Sequence, residues 1–146
     1  MVGYVESLSD PSYKNQILML TYPLIGNYGV PKFVKDGLDL PKYFESDKIH
    51  ATGLIVGEYC DEYSHWNASK SLSEWLKESN VPAIHGIDTR MLTKILREKG
   101  SMLAKIFINA RSMPVFRTQT FTNPNNMNLV EMVSTKVFIF SLIFLF

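Results

Sequence analysis

Short apolar runs alternate with helical stripes between residues 17 and 108, and that alternation constrains the fold more than any other feature of the chain. Ile17 to Tyr22 is an apolar run that reads as a strand. Specialised turns flank it. Asp10-Pro11-Ser12 combines the fixed φ of proline with two side chains that hydrogen-bond nearby backbone. Pro23, Gly26 and Gly29 punctuate the other end, so residues 1–31 read as turn, strand, turn. Residues 32–48 read as a loop with a short helical turn near Lys42 to Ser46. Ala51 to Val56, entered from His50 and left through Gly57, reads as a buried strand. A helix region follows between Ser64 and Ser79, starting as early as Asn67 or at the possible capping box Ser71/Glu74. Leu72, Trp75 and Leu76 form its buried stripe at i, i+3, i+4. Asn80 and Pro82 end it.

Ala83 to Ile87 reads as a further short strand. Asp88 is a good N-cap for a helix whose apolar face is Leu92, Ile95 and Leu96. Lys94, Arg97 and Lys99 lie toward its C-terminus, where the helix dipole favours positive charge, and Gly100 suits the position beyond its end. Met102 to Ile108 completes the series as another strand. This order predicts an α/β domain with some parallel pairing. Ser112 to Asn128, with Pro114 and Pro124, reads as loop or linker.

With 146 residues, 46% hydrophobic and 20% charged, the chain fits one globular domain rather than a disordered one. A net charge of +1 gives no electrostatic reason for nucleic-acid or anionic membrane binding. One cysteine excludes an internal disulfide framework and a multi-cysteine metal site, and fits a reduced thiol in an intracellular protein. His50, His65 and His85 lack metal-ligand spacing.

None of the candidate catalytic residues makes a convincing group. Cys60 has acidic neighbours and no elbow glycine after it, a setting that weakens a thiol as a nucleophile. Asp88 reads as a helix cap, His65 as lying at a helix start, and His85 as part of a short strand. Gly26-Asn27-Tyr28-Gly29 lacks the spacing and the Lys-Ser/Thr end of a phosphate loop. Trp66 and Trp75 read as core at helical spacing, or as part of an apolar contact surface.

The wording of the motifs adds what spacing does not. Asp10-Pro11-Ser12-Tyr13, Tyr22-Pro23-Leu24-Ile25-Gly26-Asn27-Tyr28-Gly29, Ser64-His65-Trp66, Gly86-Ile87-Asp88-Thr89-Arg90, Leu92-Thr93-Lys94 and Arg97-Glu98-Lys99-Gly100 follow one another in order. Together they closely resemble the N-terminal domain of the small (glutaminase) subunit of glutamine-dependent carbamoyl-phosphate synthetase. The Tyr22 to Gly29 wording is most similar to the version fused into multifunctional pyrimidine-pathway proteins. The resemblance covers residues 1–107 and resumes faintly at Asn125 to Lys136.

The resemblance implies a mixed β/β/α domain of the α/β class over residues 1–108, lacking about three opening strands. Residues 109–136 are then a loop or linker and the domain end. The apolar run 137–146 stands where relatives have polar linker, and is too short to cross a bilayer. It is either foreign to the domain or a hydrophobic anchor. The chain opens without a signal or transit pattern and reads as a fragment. By resemblance the parent enzyme is cytoplasmic, uses ATP and Mg, hydrolyses glutamine and passes ammonia to a synthetase portion. This segment carries no cofactor. It supplies structure and the interface to the glutaminase domain and the synthetase portion, and is inactive alone. Ser12 is its one implied site residue, reaching glutamine at the neighbouring glutaminase domain; the bland alternative is that it only stabilises its own turn. The rival readings are a stand-alone interaction domain and a urea- or arginine-pathway synthetase.

Overall fold

The computed structural model describes residues 3–107 and 120–134. Its centre is a three-stranded parallel sheet in the order β1 (Ile17–Leu20), β3 (Gly53–Val56), β5 (Ala83–Ile84). Ile17 pairs with Gly53 and Leu20 with Val56, so β1 is held in register with the middle strand. A second, antiparallel pair joins β2 (Val30–Pro31) to β4 (Ala68–Lys70). Helix α2 (Leu72–Glu78) lies between β4 and β5, and α3 (Thr89–Lys99) follows β5. A short helix α4 (Leu129–Val133) closes the described chain. This is the α/β class, with β3 and β5 joined through α2, and β1 and β3 through β2 and loop.

The predicted cap of α2 is present in full. The Ser71 hydroxyl accepts from the Glu74 N–H at 3.1 Å, and the Glu74 carboxylate accepts from the Ser71 N–H at 2.8 Å. Leu72, Trp75 and Leu76 are buried, as their spacing requires. Asp88 caps α3 by accepting from the Met91 N–H at 2.9 Å, and Gly100 follows with φ 78°. The core joins Leu8, Leu54 and Leu72, which are almost fully enclosed, to Val30, Val56 and Trp75.

Several expectations are corrected. Tyr4–Ser9 is a helix, α1, rather than part of a turn. Tyr4, Val5 and Leu8 fall on one side of it, and burying them offsets the lack of a side-chain cap. Residues 68–70 form β4, so no helix starts near Asn67; the capping box sets the start. Lys42 to Ser46 is a series of bends, and the Glu45 N–H goes to the Ser9 hydroxyl instead of a helical carbonyl. Residues 102–107 form no strand. Met102 and Leu103 stay exposed, while Ile106 packs over Gly53, where an added Cβ would sit 2.7 Å from Ile106 Cδ1. Trp66 lies in a turn and is 84% exposed, so it is not core. The expected apolar run 137–146, and residues 109–119, 135 and 136 of the expected linker, lie outside the described residues.

Candidate functional site

Ser12 sits at the middle of a single 3-10 turn, Pro11–Tyr13, immediately before β1. Asp10 caps this turn: its Oδ1 accepts from the Ser12 N–H at 2.8 Å. That bond, and second the Ser12 hydroxyl, hold the Asp10 carboxyl below the usual carboxylate range. The turn is closed by Tyr13 N–H to the Asp10 carbonyl and Lys14 N–H to the Pro11 carbonyl, both at 3.1 Å. The Gln16 side chain donates to the Ser12 carbonyl at 3.0 Å. Ser12 itself is exposed. A hydroxyl so placed can both donate to and accept from a group docked over the turn.

The turn rests on a buried support. Ser9 is fully enclosed; its hydroxyl donates to the Val5 carbonyl at 2.8 Å and accepts from the Glu45 N–H at 3.0 Å. The Ser46 hydroxyl donates to the Ser9 carbonyl at 2.6 Å. On either side of the turn, the His50 N–H donates to the Leu8 carbonyl and the Thr52 N–H to the Gln16 carbonyl, both at 2.9 Å. Residues 9–15 therefore arch over a strap formed by His50, Ala51 and Thr52. Ser9 and His50 carry no motif. Only the placement of His50 before an apolar run hints at its burial.

The other candidates have separate, structural roles. His65 packs edge-on against Tyr28, with ring centroids 5.3 Å apart, and its Nδ1 accepts from the Asn67 N–H; it is not at a helix start. His85 is exposed and lies 6.2 Å from the Tyr59 ring. Asp88 is occupied as the α3 cap. Cys60 is half-buried, and its N–H donates to the Ile25 carbonyl at 2.8 Å. Gly26 has φ 105°, and a Cβ there would stand 2.5 Å from the Cys60 carbonyl oxygen, so this glycine serves close backbone approach. Among the described residues no group of three or more His, Cys, Asp or Glu could hold a metal ion, and no helix is long and apolar enough to cross a membrane.

A separate cavity of about 450 Å³ opens between the sheet and α2, lined by Leu54, Val56, Leu72, Leu76 and Ile84, with Asp61, Lys77 and His85 among its polar residues. Ser12 is not part of it.

Residues 1–106 match the family described as the carbamoyl-phosphate synthase small chain, CPSase domain. The chain belongs to the carbamoyl-phosphate synthase small-chain family. Within it, the chain is 55% identical over 138 residues to the multifunctional protein pyr1-3 of Dictyostelium discoideum, covering 93% of this chain and 6% of that protein. It is 49% identical to the carbamoyl phosphate synthase arginine-specific small chain of Aspergillus fumigatus, covering 93% of this chain and 30% of that protein. It is 52% identical to the mitochondrial carbamoyl-phosphate synthase [ammonia] of Mus musculus, covering 92% of this chain and 9% of that protein. The chain thus spans a minor part of each of these carbamoyl-phosphate synthase relatives.

Proposed function

We propose that this chain is the structural and interface domain of a glutamine-hydrolysing carbamoyl-phosphate synthase acting in the first step of de novo pyrimidine biosynthesis. The observation that carries the reading is the small-chain family match over residues 1–106, seated on an α/β fold of the expected kind. The whole enzyme hydrolyses glutamine and passes the ammonia to a synthetase portion, which uses ATP and Mg in the cytoplasm. This segment needs no cofactor of its own. It docks on the glutaminase domain and the synthetase portion, and Ser12 contributes a hydroxyl contact to glutamine. The exposed position of that residue on a braced turn supports the assignment. The segment alone is expected to be inactive, because Cys60 lies on an ordinary loop, with no elbow glycine after it and with acidic neighbours that disfavour a thiolate.

The test is carbamoyl-phosphate formation by the intact protein that carries this segment, supplied with glutamine, bicarbonate and ATP. Product formed only from ammonium, never from glutamine, would overturn the reading. A second reading, an arginine- or urea-pathway synthetase, is favoured by the comparable identity to the arginine-specific and ammonia-type relatives. The mass of the native polypeptide separates them in part. A separate small chain would be about three times the length of this one, going by the 30% coverage of the arginine-specific relative. A multifunctional pyrimidine enzyme would be far longer.

A further inference from the structure

We infer that His50 is a positioning residue for the Ser12 turn, holding it only while the imidazole is neutral, so that glutamine use is lost on acidification ahead of ammonia use. The inference rests on the proposed Ser12 contact. His50 is 5% exposed, and its Nδ1 is enclosed without a hydrogen-bond partner. A buried polar atom left unpaired is costly, and natural proteins seldom keep one without a reason. This one lies in the strap beneath residues 9–15. The His50 N–H holds the Leu8 carbonyl just before the turn, and the Thr52 N–H holds the Gln16 carbonyl just after it.

The charged groups facing the ring are Lys14 of the turn itself, Lys48 and Asp47 of the preceding loop, and Asp10, the cap of Ser12. A second proton on the ring would place a cation in an enclosed site whose Nδ1 has no partner, with Lys14 and Lys48 opposing it more than Asp47 and Asp10 favour it. Burial first, then Lys14 and Lys48, hold the ring's pKa below the ordinary value. The sign follows: a seat that excludes the proton is intact above the unfolded value of about 6.5 and weakens as pH falls below it. Asp10, held below the carboxylate range, stays ionised through that window and does not confuse the readout.

The experiment compares the intact enzyme with His50→Gln and His50→Leu, neither of which titrates. Leu also removes the unpartnered ring nitrogen, so one of the two is expected to fold even if the other does not. Two readouts are taken from pH 7.5 to pH 5.5. One is the ratio of carbamoyl-phosphate formation with glutamine to that with ammonium salt, the salt being raised as the pH falls so that free NH3 stays constant. The other is hydrogen exchange in the segment around residues 10–16, corrected for intrinsic rates. In the native enzyme the turn is expected to lose protection and the ratio to fall by up to about tenfold per pH unit below 6.5. In the variants both profiles are expected to be flat relative to the native enzyme. Protection that is independent of pH, or that changes equally in native enzyme and variants, overturns the inference. Loss of protection without any change in the ratio would overturn the Ser12 contact instead, and with it the link from His50 to glutamine.

Discussion

Ser9, His50 and Ser12 form one layered unit at the scale of the residue, and only Ser12 stood out in the sequence. Its motif is exposed and local, so its wording suffices to find it. The support is long-range: Ser9 meets Glu45 and Ser46 from 36 and 37 positions away. No local pattern encodes such a pairing, which is why a lone serine at the end of α1 gave no signal. Ser9→Ala is expected to leave the partly buried Glu45 N–H without its acceptor and to cost about 0.5–1.5 kcal/mol, measured by urea denaturation of the intact protein. Tyr4 is a similar case. Its hydroxyl donates to the Gly29 carbonyl at 2.6 Å, and burial pushes its pKa far above the ordinary tyrosine value. Tyr4→Phe should lower stability by about 0.5–1.5 kcal/mol, and the native phenol should stay protonated in alkaline ultraviolet titration until the protein unfolds.

Legibility at the scale of the element depended on whether the stabilising interaction was local. The α2 capping box and the α3 cap are contained within four residues, and both were readable. β3 was readable because its apolar run is buried on both sides of the strand. β4 was not: Ala68, Ser69 and Lys70 have weak strand character, and only pairing with Val30 and Pro31 makes them a strand. α1 was missed although Tyr4, Val5 and Leu8 carry its stripe, because six residues without a cap have little helical tendency before they pack. Residues 102–107 failed in the opposite direction, an apolar run with Met102, Leu103 and Ala104 exposed and no place in the ladder. These differences set the scale of two substitutions. Ser71→Ala should cost about 1 kcal/mol by removing one half of the capping box. Leu54→Ala, at the middle of the sheet and almost fully enclosed, should cost about 2–5 kcal/mol. A urea series that ranks Ser71→Ala as the more damaging of the two would contradict the placement of the core.

At the scale of the whole molecule, the small-chain fold presents the Ser12 turn on its surface, braced from within by Ser9 and by the strap at residues 50–52. The arrangement suits a domain that offers one contact to a site completed by its neighbour. The central claim is that this contact serves glutamine. Its most direct test is the intact enzyme carrying Ser12→Ala, assayed for carbamoyl phosphate with glutamine and with ammonium salt side by side. Loss of one neutral hydrogen bond, about 0.5–1.5 kcal/mol, should weaken apparent glutamine affinity by roughly two- to tenfold and leave the ammonium reaction unchanged. An equal loss with both nitrogen donors would assign the hydroxyl to its own turn, and no change with either would remove Ser12 from the site.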